Sequence, residues 1–158
     1  MVLLCLVMVL SGIGWFVSPK DNNGWPILLS PEVKAVEDYR RSAQNWMDQL
    51  RSLDSEISGL LQTDTQGDLF TQSRQVQQML QHAVELAKAV DQTHTPAAAL
   101  GHHEQMYAAT MAYLEAARAG MRWVSAPEPT RKEEAQMKLS QAQAARQVLE
   151  ENRWMQTR

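Results

Sequence analysis

Residues 30–62 read SPEVKAVEDYRRSAQNWMDQLRSLDSEISGLLQ, and this stretch decides the fold. Its large apolar residues recur at alternating intervals of three and four, which places them on one face of an α-helix. Ser30 can accept hydrogen bonds from the first-turn amides, Pro31 suits the first helical position, and Glu32 meets the positive end of the helix dipole. The pattern predicts one amphipathic helix that ends near Leu61 and Gln62. Its apolar face consists of Val36, Tyr39, Ala43, Trp46, Leu50, Leu53, Ile57 and Leu60.

Three further amphipathic segments follow, separated by a turn over residues 63–67 and by Pro96 and Pro127. Asp68 is the predicted N-cap of the second helix, Pro96 the predicted first residue of the third, and the fourth is expected to start at Glu128 or Thr130. The second apolar face consists of Leu69, Val76, Leu80, Ala83, Ala87 and Val90, widened by Phe70, Met79 and Leu86. The third consists of Leu100, His103, Tyr107, Thr110, Leu114, Ala117, Met121 and Val124, and the fourth of Ala135, Leu139, Ala142, Ala145, Leu149 and Trp154.

Four such segments with short joints predict an all-α fold, in which residues 31–158 form an antiparallel up-down four-helix bundle about 40 Å long. A continuous coiled-coil stalk, as in the stator subunits of rotary ATPases, is the alternative for a chain of this length with one N-terminal span. The breaks at Gly67, Pro96 and Pro127 argue against the stalk, because proline and glycine interrupt a long helix.

The N-terminus differs sharply from the rest of the chain. Residues 1–17, MVLLCLVMVLSGIGWFV, carry no charged side chain, and the first one in the sequence is Lys20. A membrane-spanning helix needs roughly 20 apolar residues, with a lower limit of about 17. Trp15 suits the interfacial end of a span, and Ser18-Pro19 suits its stop. We expect residues 1–18 to be a retained single-pass transmembrane anchor in contact with membrane lipid. A cleaved signal peptide is the alternative, although no Lys or Arg precedes the apolar run.

The anchor hypothesis sets the expected organisation and location. Residues 19–30 would form an interfacial linker, in which Asn22, Asn23 and Gly24 favour turns. The predicted location is a cell membrane of a bacterium-like cell, with the soluble domain outside the cytoplasm. The single cysteine, Cys5, lies in the apolar segment, so the predicted bundle has no disulfide.

The charge balance argues against nucleic acid as a partner. Fifteen Lys and Arg residues stand against 18 Asp and Glu residues, which gives a formal net charge of −3. Nucleic-acid binding depends on concentrated Lys and Arg side chains that displace counterions from phosphates. The sequence contains no such basic cluster.

The best candidates for metal ligands are His102, His103 and Met106, since imidazole with thioether suits copper. His102 and Met106 are four residues apart and could converge on one helix face, whereas two adjacent histidines point about 100° apart. We expect a surface histidine pair at the start of a helix and no metal site. The sequence also lacks the Glu-x-x-His pairs of di-iron bundles, a Cys-x-x-Cys-His haem motif, a Gly-x-Ser-x-Gly motif and a phosphate-binding glycine loop. We therefore predict no cofactor and no enzymatic activity.

A non-enzymatic accessory subunit is the function that the sequence favours, with a bundle positioned beside a membrane protein assembly. Tryptophan is enriched at binding hot spots, and glutamine-rich helix faces could contact a partner or a second copy of the chain. The candidate partner-binding residues are Trp25, Ile27, Leu28, Leu29, Trp123 and Trp154. For Trp123 and Trp154, the alternative is a role as caps on the ends of the core.

Two other functions stay open. In outline the layout resembles bacterial chemoreceptor input domains, in which a four-helix bundle directly follows a first span. That resemblance rests on no residue motif, and a transducer would need a second span after the fourth helix. An exported metal-binding or haem-binding bundle is the other alternative.

Overall fold

The computed structural model describes residues 30–62, 69–152 and 154. These residues form four α-helices and a short 3₁₀ turn, with no strand among them. We label the helices α1 (Pro31–Gln62), α2 (Leu69–Asp91), α3 (Leu100–Ser125) and α4 (Pro129–Glu151). The predicted all-helical fold with four helices is confirmed for this part of the chain. None of these helices combines the length and the apolarity that a membrane span requires. The predicted anchor at residues 1–18 lies outside the described residues.

The contacts within the chain divide it into two units, Met1–Ala35 and Val36–Arg158. The described part of the first unit is the start of α1. There the Val33 amide donates to Ser30 Oγ at 3.4 Å, and the Lys34 amide donates to the Ser30 carbonyl at 2.9 Å. Ser30 therefore caps the helix, as its place before Pro31 predicts.

The second unit contains the bundle core, and its contacts show how the helices run. The end of α3 meets the start of α4 through Arg122 and Glu134, at 2.8 Å, and the start of α3 meets the residue after α4 through Gln105 and Asn152, at 3.0 Å. These two helices are therefore antiparallel. α2 also packs on α3, and α1 contacts α2 where Glu56 Oε1 lies 3.5 Å from His82 Nδ1.

The core of the unit is formed by the inward faces of all four helices. Leu50, Leu53 and Ile57 on α1 are completely buried, and a side chain of this size contributes about 1.5–3 kcal/mol when it is fully removed from water. The apolar face predicted for α1 is buried from Tyr39 to Leu60, while Val36 is half-buried. Hydrophobic periodicity therefore located the inward face of α1 well.

The predicted apolar face of α3 is wrong in register. Leu100, Tyr107 and Met121 were expected inside, but they are 52%, 38% and 37% exposed. The buried face lies mainly one residue off and contains His102, Met106, Ala109, Tyr113, Ala116, Gly120 and Trp123. Small residues let helices approach closely, so they occupy the interior even though a hydrophobicity pattern gives them little weight. Thr110, Leu114 and Ala117 are shared by the predicted and the observed faces.

The joint between α2 and α3 also differs from expectation. Pro96 was expected to open the third helix. It caps a 3₁₀ turn over Ala97–Ala99, and α3 starts after it at Leu100. At the next joint Glu128 occupies the cap position and α4 starts at Pro129, which lies between the two starts that the sequence predicted, Glu128 and Thr130.

Candidate functional site

One end of the bundle carries a cluster of aromatic rings that we call the ring cluster. It consists of Tyr39, Trp46, His102, His103 and Trp154. α1 contributes Tyr39 and Trp46 from its core face, and α3 contributes both histidines from its first turn. Trp154 reaches the cluster from the turn that follows α4. The cluster therefore joins the first turns of α3 and the C-terminal turn to α1.

His102 is the chemically unusual member of the ring cluster. Its side chain is 5% exposed, and neither ring nitrogen has a hydrogen-bond partner among the described residues. The expectation of a surface histidine pair is therefore wrong for His102. Burial, assisted by the neighbouring His103, lowers the pKa of His102 below its usual value of 6.5. The imidazole is thus held in its neutral form, since desolvation disfavours the charged form.

Trp154 covers His102. The two rings stack with centroids 4.9 Å apart and planes 21° apart. The edge of Tyr39 lies against Trp154 at 5.5 Å, and the Arg40 guanidinium carbon lies 5.2 Å from the centroid of Trp154. The Trp154 backbone amide donates to Asn152 Oδ1 at 3.0 Å, which fixes the turn locally. Trp154 is half-buried in these contacts.

The predicted metal candidates are not gathered into a metal site. Met106 is fully buried in the core, and His103 Nδ1 lies 3.2 Å from the Tyr39 hydroxyl. Within the described residues, no group of three His, Cys, Asp or Glu side chains is placed to hold a metal ion. We assign His102 and His103 to the ring cluster and Met106 to the core.

A second polar feature, the Asp54 network, joins three helices. Asp54 Oδ1 on α1 accepts from the Tyr113 hydroxyl of α3 at 3.1 Å and from Gln143 Nε2 of α4 at 2.9 Å. Arg146 Nε donates to the Tyr113 oxygen at 3.0 Å, and Arg146 also bonds Glu150 at 2.7 Å. Burial raises the pKa of Tyr113 to about 12, so the phenol stays protonated and donates. These are structural hydrogen bonds that fix the relative register of the helices.

The tryptophans proposed as partner contacts fall in different environments. Trp123 is 5% exposed, and the Lys132 ammonium lies 5.3 Å from the centroid of its ring, so Trp123 caps the core. This burial favours the core-cap interpretation over a partner contact. Trp25, Ile27, Leu28 and Leu29 lie outside the described residues, and their role as partner contacts stays a prediction.

Sequence reasoning did not identify the exposed apolar residues of α3 as a surface. Leu100, Tyr107 and Met121 are spaced at multiples of seven residues, so they follow one edge of the helix. We call these three residues the α3 apolar line. Leu114, at the intervening position, is 5% exposed and belongs to the core. The periodicity of Leu100, Tyr107 and Met121 is visible in the sequence, but it predicts that they are buried, and the structure places them at the surface.

Two grooves lie between helices of the unit that contains the bundle core. One groove of about 420 Å³ lies between α1 and α2, with Gly59, Leu60, Val76 and Met79 in its lining. Another of about 600 Å³ lies between α1 and α4 beside Met47, Arg51 and Glu150. Neither contains the ring cluster or the α3 apolar line.

Comparison with known proteins gives no relative: no family model matches the chain, and neither the curated proteins nor the solved structures provide a match.

Proposed function

We propose that this protein is a membrane-anchored, non-enzymatic accessory subunit, whose helical bundle contacts a helix of a membrane protein assembly through the α3 apolar line. The observation that supports the proposal is the exposure of Leu100, Tyr107 and Met121 along one edge of α3. Large apolar side chains repeated every seven residues are the pattern by which one helix packs on another. The bundle's own helices leave these three side chains partly exposed, while Leu114, at the heptad position between Tyr107 and Met121, belongs to the core.

The anchor is the other half of the proposal. Residues 1–18 carry the apolar run without charged side chains, and Trp15 and Pro19 suit its membrane boundary. A segment of this kind would hold the bundle against one face of a membrane, with the bundle outside the cytoplasm. Placement beside an assembly raises the effective concentration of the α3 apolar line for its partner. Trp25 and residues 27–29 would lie near the same boundary.

The test is purification of the full chain from its native membranes in mild detergent. We expect wild-type protein to copurify with a defined membrane protein assembly, and the variant L100Q/Y107Q/M121Q to lose that assembly while it stays in the membrane fraction. Glutamine is a good helix former, so the substitutions remove apolar contact without breaking α3. The matched control is M137Q/V148Q on α4, where the native side chains are 53% and 55% exposed.

Three results would count against the proposal. A monomer without partners would contradict the accessory role. Equal loss in both variants would mean that general surface apolarity, not the α3 apolar line, determines binding. Association with a second copy of the same chain alone would replace the assembly by self-association.

A sensor-type bundle is the second candidate function, and the covered, buried His102 is the observation that favours it. A side chain that is neutral when buried and charged when exposed can respond to the surroundings of an extracytoplasmic domain. The sensor function would be supported if a change in the pH of the surrounding solution altered the binding of the bundle to its partner, measured by the same copurification.

A further inference from the structure

We propose that the stack of Trp154 on His102 is a pH-sensitive latch, which holds the C-terminal turn closed above neutral pH and releases it in mildly acidic surroundings. The proposal is independent of the α3 apolar line. It concerns only the ring cluster and the turn at Asn152 and Trp154. Release would uncover the ring face of His102 and the edge of Tyr39.

The present arrangement of His102 has a free-energy cost. A neutral imidazole carries one N–H donor and one acceptor nitrogen, and both nitrogens of His102 are buried without a partner among the described residues. Unpaired buried polar groups are rare in folded proteins and call for a specific explanation. Here the ring is retained as an apolar surface for Trp154, at 4.9 Å, and not as a hydrogen-bonding group.

Protonation of the His102 ring would destabilise the closed turn. Protonation gives His102 two donors and a positive charge with no described acceptor beside it. Arg40, over the Trp154 ring, supplies like charge, and the neighbouring His103 further disfavours the charged form of His102. Among the described residues, the ionisable groups that the contacts place at this stack are Tyr39, 6.5 Å from the His102 ring, Arg40 over Trp154, and His103, next in the chain. Glu37 is paired with Arg40 at 3.1 Å, and Glu151 accepts from Gln147 at 2.9 Å.

The turn that carries Trp154 can open without unfolding of α4. Trp154 lies beyond the end of α4 at Glu151, so its departure breaks no helical hydrogen bond of α4. Its described attachments are ring contacts, packing against the core, the Arg40 contact and the local bond to Asn152. The Asn152 side chain also donates to Gln105 Oε1 at 3.0 Å, which ties the turn to α3. A short, half-buried turn beyond the end of a helix belongs to the parts of a protein that open locally.

The sign of the pH effect follows from linkage. In the closed state the pKa of His102 is depressed, while in the open state the exposed ring returns toward its usual value near 6.5. The open state therefore binds more protons below that value. The ratio of closed to open turn should fall about tenfold for each pH unit below 6.5, until the closed-state pKa is reached. Above pH 6.5 the ratio should be constant.

The test uses the full chain in detergent, labelled with 5-fluorotryptophan and followed by ¹⁹F NMR. W154F assigns the Trp154 signal by its disappearance. We expect that signal alone to move toward a solvent-exposed shift between pH 7.5 and 5.0. In H102F, where a ring remains to stack but cannot be protonated, the signal should stay at the closed position over the whole range.

The control variant is H94Q, since His94 is exposed and outside the ring cluster, and it should keep the wild-type response. The latch is wrong if the Trp154 signal does not move in wild type, or if it still moves in H102F. It is also wrong if all the tryptophan signals move together with loss of helical circular dichroism, because this would be global unfolding.

Discussion

Two helical glycines, Gly59 and Gly120, differ in the space available for a side chain, so replacing each by alanine should change stability differently. A Cβ on Gly59 of α1 would have no atom within 4 Å, whereas a Cβ on Gly120 of α3 would lie 3.3 Å from Leu60 Cδ2 and 3.6 Å from Met79 Cε. Alanine is favoured over glycine in a helix interior by about 0.5–1 kcal/mol. Gly59→Ala should therefore raise the free energy of unfolding by about this amount.

The matched variant is Gly120→Ala, where the contact with Leu60 works against the same gain. Its net effect should be near zero or destabilising, because the buried Leu60 side chain must shift by a few tenths of an ångström. Urea unfolding followed by circular dichroism measures both variants. Equal stabilisation by the two substitutions would show that the approach of α1 to α3 at Gly120 is looser than the structure indicates.

Two buried phenols predict a loss of stability in alkali. Burial raises the pKa of Tyr39 and of Tyr113 to about 12, above the ordinary value of 10.0. Between these values the unfolded chain releases protons that the folded chain retains, so stability should fall as pH rises from about 10 toward 12. Tyr113→Phe should remove its share of that fall. Urea midpoints at pH 8, 10 and 11 measure the effect, and an unchanged pH slope in the variant would contradict it.

Among the elements, α3 buries a large aromatic side chain near its C-terminal end. Trp123 is 5% exposed at the end of this helix, and removal of a buried tryptophan side chain costs about 3–5 kcal/mol. Trp123→Ala should therefore lower the thermal stability strongly. The control Lys132→Met keeps a side chain over the ring but removes the cation, at a cost of about 1 kcal/mol or less. Wild-type stability in Trp123→Ala would mean that Trp123 is not a core residue.

The Asp54 network joins α1, α3 and α4, and its loss should lower the stability of the bundle. Asp54→Ala removes the acceptor of the Tyr113 hydroxyl and of Gln143, and it leaves Arg146 without the carboxylate 3.7 Å away. The expected cost is about 1–3 kcal/mol, since donors at a half-buried site lose their partner. Asp48→Ala on the same helix removes only an exposed pair with Arg51 and should cost about 0.5 kcal/mol or less. Urea unfolding measures the stability of both variants. Equal losses would show that the Asp54 network stabilises the bundle no more than an exposed ion pair does.

The elements also show what the sequence could and could not reveal. The cap residue Ser30 located the start of α1, because its chemistry is local, and the start of α4 fell within one residue of the two predicted positions. The inward face of α1 followed from its large apolar residues. The inward face of α3 did not, because Ala109, Ala116 and Gly120 are selected by the close approach of other helices, which no local pattern records. The ring cluster was also hidden, since Tyr39, His102 and Trp154 meet only through tertiary packing.

For the whole molecule, the location of the core predicts that the bundle folds without the N-terminal segment. Among the described residues, the buried apolar side chains run from Tyr39 to Leu149. Residues 30–158 expressed alone should therefore be helical and unfold cooperatively, with a melting temperature within about 4 °C of the full chain, a shift that corresponds to about 1 kcal/mol for a domain of this size. The same deletion should abolish membrane association if residues 1–18 are the anchor.

The two readouts separate folding from placement. Circular dichroism measures the fold of the shortened chain, and extraction of membranes with sodium carbonate measures retention of the full one. A shortened chain that fails to fold would show that residues before Ser30 complete the core. Full-length protein released by carbonate would contradict the anchor while leaving the bundle intact. A folded, soluble body together with a carbonate-resistant full chain is the combination that the proposed accessory function requires, because the bundle must be stable by itself before an anchor can position its α3 apolar line.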